Sequence, residues 1–214
     1  TIVDEFQFLI IDKEISMKIH GELINEKSIN KVAKKYCDNS EESKEWRRFI
    51  ENIALGPASK NAQKHLKKVD KDWQKDGKFN PETTDMTKAK QQFENGDLVG
   101  LLVPMELGEK KENKKQKPIS SSFKMFFKKP ESNCKQKTII RQGLQINDEL
   151  MLRGANSNAP IMAAIIIDGK EMSQFLADSE VNNHSRFNAS KEEFIAKWGE
   201  SNGTKRLSQF RRSL

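Results

Sequence analysis

The sequence predicts an α+β protein: a mostly antiparallel sheet with helices packed on one face, and a helical segment inserted between the first strands and the rest. Three observations predict it. Residues 96–188 read as four consecutive apolar runs, GDLVGLLVPMEL, SSFKMFFKKP, KTIIRQGLQI and PIMAAIIID, each bounded by turn-forming residues. Apolar residues at helical spacing run through the stretch before them. The 214 residues are 35% hydrophobic and 32% charged, enough for a patterned core yet polar enough for exposed helices and long loops. The expected segments are N-terminal strands joining the sheet (1–24), a helical segment (25–95), an α+β core (96–188) and C-terminal helices (189–214).

Phe6 to Asp12, FQFLIID, is bulky and apolar and reads as a buried strand. A half-buried strand follows, with Ile15, Met17 and Ile19 on one face and Gly21 marking the turn. Asn25 or Ser28 caps a helix through Lys35, with Ile29, Val32, Ala33 and Tyr36 as its stripe. Ser40 or Ser43 opens the next, with Trp46, Phe49, Ile50 and Ile53 at helical spacing, and Gly56-Pro57 stops it. A third helix is expected from Ala58 to Trp73, with Leu66, Val69 and Trp73 inside and a lysine-rich outer face. MTKAKQQFENG reads as a short helix closed by Asn95-Gly96.

Within the core, FKMFF alternates as a strand, so Phe123, Met125 and Phe127 share a buried face. Gly143 inside KTIIRQGLQI marks a bulge or a close backbone approach. KEMSQFLADSE is a short helix, followed by the polar cluster NNHSRFN. Ser190 and Glu193 fit a capping box opening KEEFIAKWG, and TKRLSQFRRSL is a terminal helix.

The net charge of +7 permits contact with phosphates or nucleic acid without requiring it. Cys37 and Cys134, the two cysteines, have no CxxC partner; two free thiols are preferred to one long-range disulfide. No apolar run nears the ~18 residues of a membrane span, and TIVDEFQFLI lacks the pattern of a signal peptide, so a cytoplasmic protein without membrane contact is expected. The opening at Thr1 reads as part of a longer polypeptide.

Candidate chemistry is sparse. His184 sits in a polar cluster with Glu180 and Arg186, but no second histidine, cysteine or paired carboxylate stands at ligand spacing, so a structural hydrogen-bonding role is preferred to a catalytic or metal-binding one. Asp178 and Glu180 are two apart on a helix and cannot share an ion unaided. A hydrolase using Asp168, Glu180 and His184 is the least favoured reading. There is no G-x-S-x-G elbow and no P-loop. The loop lysines Lys110, Lys111, Lys114, Lys115 and Lys117 are candidates for nucleic-acid contact, but they and the lysines near Lys129 to Lys137 are expected at opposite ends of the sheet.

Three strings in order, Arg141-Gln142-Gly143-Leu144-Gln145-Ile146, then Asp168-Gly169-Lys170-Glu171-Met172 leading to Phe175-Leu176-Ala177-Asp178-Ser179-Glu180, then Asn183-His184-Ser185-Arg186-Phe187-Asn188, follow GDLVGLLVP. Together they resemble the region downstream of the ATPase domain in prokaryotic GHKL-type ATPases, the gyrase, chaperone and histidine-kinase superfamily. ATP binding in that superfamily needs an E-x-x-x-N magnesium helix and a D-x-G-x-G adenine loop, and neither is read in this sequence. The resemblance therefore implies a non-catalytic transducer domain, of a bacterial stress or defence system, that binds no cofactor itself. It implies ATP and magnesium in the full-length protein, and as partners its own ATPase domain, another protein or a second copy. It also implies a lysine reaching the γ-phosphate from an inter-strand loop; Lys135 and Lys137 are the nearest candidates, with Lys129 behind them. The alternative is a nucleic-acid-binding module.

Overall fold

The computed structural model describes residues 2–56, 66–76, 84–108, 119–146, 159–181 and 186–212. The chain opens with α1 (Ile2–Ile11), the hairpin β1 (Met17–Ile19) and β2 (Glu22–Ile24), α2 (Ile29–Tyr36) and α3 (Glu41–Leu55). β3 (Lys67–Lys68), α4 (Trp73–Asp76) and α5 (Thr84–Glu94) lead to β4 (Val99–Leu107) and β5 (Ile119–Lys128). Next are β6 (Lys137–Arg141), β7 (Leu144–Ile146) and β8 (Met162–Ile167). α6 (Lys170–Ser179), α7 (Glu192–Trp198) and α8 (Thr204–Arg212) follow, with a π-helical turn, Gly199–Gly203, joining the last two.

The α+β class holds, with a mixed six-stranded sheet in the order β3-β4-β5-β8-β6-β7 and a separate two-stranded sheet, β1-β2. β8 lies between β5 and β6, antiparallel to the first and parallel to the second. Its sequence MAAIII is buried on both sides, which is why it reads as a continuous apolar run rather than an alternating one. One face of the sheet presents Val103, Met105, Phe123, Met125, Ile139 and Ile165 to Phe175 and Leu176 of α6, Phe194 and Trp198 of α7, and Leu207 and Phe210 of α8. Phe123 and Met125 thus occupy the expected core face, with Phe127 partly buried against it. Helix α3 covers the opposite face, where its Trp46, Phe49, Ile50 and Ile53 pack on Phe126, Ile140, Ala164 and Ile166, while Trp73 of α4 and Ala89 of α5 join the first core. Helices therefore lie on both faces, not one.

Several sequence expectations are corrected. Residues 1–24 do not join the sheet. The run read as a strand from Phe6 is helix α1, with Val3, Gln7, Ile10 and Ile11 buried at helical spacing. An apolar run of that length fits either period, and here the upstream Val3 extends the helical one. The expected third helix is absent over its last part: Lys67 and Lys68 pair in parallel with Leu101 and Leu102 as an edge strand. KTIIRQGLQI is not one strand but the hairpin β6–β7. Its turn residues Gln142 and Gly143 have φ of 51° and 79°, the pair of positive values that a two-residue hairpin turn with right-handed strand twist needs. His20 and Gly21 (φ 48° and 85°) turn β1 into β2 in the same way. Finally, the capping box at Ser190 does not form: Lys191 is the N-cap of α7, without a side-chain cap bond. Ser40, by contrast, caps α3 by accepting the Ser43 N–H.

The outer edge of β4 is closed by side chains where β3 ends. Val69 N–H donates to the Leu102 carbonyl, and Trp73 Nε1 donates to the Pro104 carbonyl at 2.7 Å. The Gln74 amide does both jobs of a strand: Nε2 donates to the Glu106 carbonyl and Oε1 accepts the Glu106 N–H, at 3.1 and 2.9 Å. Pro104, with no N–H to offer, is compatible with this edge position.

Gly143 is required twice over. Its φ is positive, and a Cβ there would fall 2.5 Å from Leu9 Cγ on α1. Gly143→Val is expected to cost about 3 kcal/mol, from a strained φ for a β-branched residue plus displacement of α1. Urea unfolding at neutral pH checks this; an unchanged midpoint would refute the close approach.

Candidate functional site

Two of the strings singled out in the sequence meet in space. Arg141 ends β6 and Glu180 follows α6, and the guanidinium Nη2 donates to the Glu180 carboxylate in a buried ion pair. Strand alternation puts Arg141 on the same face as Ile139, beneath the helices, and the C-terminal end of α6 brings Glu180 to it. Glu180 is 4% exposed. Its backbone also forms an isolated antiparallel bridge to Phe187, and Lys191 Nζ donates to its carbonyl at 3.4 Å. A buried carboxylate with a guanidinium partner fixes where the chain leaves α6. The pair thus forms a junction between β6 and the segment that follows α6.

The other predicted residues divide. Arg186 is exposed, with its carbonyl accepting the Val181 N–H. His184 lies outside the described residues, as do Lys110, Lys111, Lys114, Lys115 and Lys117. Asp178 is not aimed at an ion site. It takes Trp198 Nε1 and Lys197 Nζ at 2.8 Å each on one oxygen and Gln174 Nε2 at 2.7 Å on the other. Burial pushes its pKa up, but these hydrogen bonds, Lys197 first, outweigh that and hold it below the usual aspartate value. Asp168, at the end of β8, pairs with Lys124 Nζ at 2.6 Å. Lys124 is almost fully buried on the α3 side of the sheet, a position that a lysine holds when its amine reaches a carboxylate. Among the described residues no group of three or more His, Cys, Asp or Glu is placed to hold a metal. Cys37 and Cys134 are both buried free thiols.

Lys129, Lys135 and Lys137 lie at one end of the sheet, in and beside the segment joining β5 to β6. Lys129 is exposed and faces Glu94 of α5 at 3.7 Å. Lys135 is exposed. Lys137, the first residue of β6, differs from both: it is half-buried, and burial alone pushes its amine below the ordinary lysine pKa. No ion-pair partner meets it among the described residues. It shares a face and a strand with Arg141, four residues on.

One feature of this end was missed in the sequence. Glu45 of α3 holds the β5–β6 segment through the Glu131 N–H at 2.7 Å, the Ser132 N–H at 3.0 Å and the Ser132 hydroxyl at 2.5 Å. Burial raises its pKa, yet these hydrogen bonds prevail and the net shift is downward. A polar residue on an otherwise apolar helix stripe, next to Trp46 and Phe49, is the only sequence signal for it. The string Glu26-Lys27-Ser28-Ile29-Asn30 matches E-x-x-x-N by letters, but Glu26 lies in the turn before α2 and Asn30 Nδ2 donates to Glu51 at 3.2 Å, so it is not a magnesium helix.

Compared with known proteins, the chain matches no family model, no curated relative and no solved structure.

Two outcomes follow for the junctions. Removing Glu180 as Glu180→Ala leaves Arg141 without its carboxylate and is expected to cost about 3–5 kcal/mol in denaturant unfolding; a loss under 1 kcal/mol, roughly that of a surface pair, would refute the buried-junction assignment. For Glu45 the folded pKa is depressed, so its stabilisation is present above the unfolded value near 4.5 and is lost as pH falls through the folded one. Stability measured from neutral pH down to acid should therefore fall below about pH 4.5, and Glu45→Gln should be weaker at neutral pH by about 1–3 kcal/mol with a flatter profile.

Proposed function

We propose that this chain is a non-catalytic transducer module of a GHKL-type ATPase-like protein in the bacterial cytoplasm, coupling the nucleotide state of an ATPase domain to partner binding or self-association. The observation that carries the reading is the pairing of Arg141 with Glu180. The R-x-G-L-x-I and F-L-A-D-S-E strings that resemble the superfamily's downstream region sit 39 residues apart at these positions and are joined by their charged members. Their charges are thereby spent on one another, which favours an architectural role for the motifs over a catalytic one. On the same strand, Lys137 is left half-buried with a depressed pKa and no acidic partner among the described residues. A desolvated, unpaired ammonium is the kind of group that gains most from a phosphate oxygen. Lys137 is thus preferred to Lys135 and Lys129 as the phosphate-facing lysine.

The reading requires an E-x-x-x-N helix and a D-x-G-x-G loop encoded upstream of Thr1, and an open reading frame without them overturns it. In the protein carrying both parts, Lys137→Ala is expected to lower phosphate release from Mg-ATP about a hundredfold, with Lys135→Ala near wild type. The chain by itself should release none above buffer. Turnover by the isolated chain would revive the hydrolase reading. Steeply salt-dependent DNA or RNA binding, lost on neutralising Lys110 to Lys117 and paired with an unaffected ATPase rate in Lys137→Ala, would favour the nucleic-acid module instead.

A further inference from the structure

A second cationic feature lies away from Lys137, on the helical segment. α1 packs against both α2 and α3, while α2 and α3 touch each other little. Between them is a cleft of about 460 Å³. Its α3 wall is the stripe Lys44, Arg47, Arg48 and Glu51, whose i, i+3, i+4 and i+7 spacing places them on one face. Its α2 wall is Asn30 and Lys34, one turn apart. Among the described residues that line it, four cations face one carboxylate, which Asn30 engages, and Lys44 is itself paired with Glu41 at the rim. The acids at the rim are also engaged. Glu41 bonds Lys44 at 2.8 Å, and Asp38 accepts the Ser40 and Ser43 hydroxyls at 2.6 and 2.5 Å, which holds it well below the usual carboxylate range, with Arg47 adding a smaller effect. Lys34 and Arg48 make no ion pair among the described residues.

Lys34 across from the α3 stripe is a like-charge arrangement, which opposes closure of the two helices. An anion in the cleft reverses that sign. Lys34 and Arg48, with Arg47 and Lys44 beside them, suit phosphate oxygens, which guanidinium groups bind in paired fashion and ammonium groups bind as point charges. Among the described residues no aromatic side chain lines the cleft, so these offer no stacking surface for a base. We infer that the α2–α3 cleft is a binding site for a run of phosphate groups, read by charge alone, whether from a free oligophosphate or from a nucleic-acid backbone. This site is separate from the transducer reading and does not rest on it.

The test uses the whole chain with two probes, sodium tripolyphosphate by titration calorimetry and a fluorescein-labelled single-stranded oligonucleotide by anisotropy, at about 50 mM salt, where phosphate contacts are little screened. Saturable binding of at least one probe is expected. Lys34→Glu/Arg48→Glu should weaken it about tenfold or more, whereas the charge-matched Lys18→Glu/Lys170→Glu should change it less than about threefold. Tripolyphosphate binding that the oligonucleotide cannot displace identifies a free oligophosphate as the source; tighter oligonucleotide binding identifies the backbone. The double reversal removes repulsion in the empty cleft, so its melting temperature should be at least that of the wild type. Should it misfold, Lys34→Ser/Arg48→Gln serves, with about a threefold loss expected. Absence of binding by both probes, or equal weakening by the cleft and control pairs, overturns the inference.

Discussion

Both cores of the large sheet meet on β8. Met162–Ile167 pairs antiparallel with β5 on one side and parallel with β6 on the other, and so joins the two halves of the large sheet. Its odd residues, Ile165 and Ile167, enter the core beneath α6–α8, and its even ones, Ala164 and Ile166, enter the core beneath α3. Alanines at Ala163 and Ala164 keep the strand slim where helices approach. A charge at Ala164, Ile165, Ile166 or Ile167 would be stranded in one core or the other.

Around that strand, polar groups are used as joints between layers. Glu45 ties α3 to the β5–β6 segment, Lys124 reaches Asp168 from within the sheet, Arg141 holds Glu180, and Asp178 gathers Trp198 and Lys197 from α7. Each sits where two separate chain segments must keep one relative position. An apolar contact could slide by a side chain's width at little cost, whereas a charge-assisted hydrogen bond has a short distance and a direction. The layers are therefore indexed to one another.

Much of this was legible beforehand, for physical reasons that differ by element. β4, β5, α3 and α6 are legible because their apolar patterns are long, and β8 because its unbroken apolar run is bounded by turn residues. α1 was misread because FQFLIID satisfies strand and helix periods alike. The β6–β7 turn was read as a strand interior because Gln142 is not a usual left-handed residue, so Gln-Gly did not announce a hairpin. β3 was lost within a lysine-rich run that carries helical spacing at Leu66, Val69 and Trp73. Strand order was beyond reach, since nothing in KTIIR or MAAIII says which of them should neighbour β5. At the site, the motif strings named Arg141 and Glu180 separately, but only the fold makes them a pair. The α2–α3 cleft went unnoticed because its cations are split between two helices and look like ordinary solvated faces when each is read alone.

The amide of Gln74 has a consequence for how this sheet meets other chains. By presenting a donor and an acceptor side by side to Glu106, it imitates the backbone of a neighbouring strand without being one. With Val69 at Leu102 and Trp73 at Pro104, it leaves β4 nothing to offer an incoming peptide along that margin. Proteins commonly guard such margins with lysines or bulges, which repel or misalign a visitor. Here the guard is occupancy: the vacancy that templated aggregation requires is filled from within the molecule.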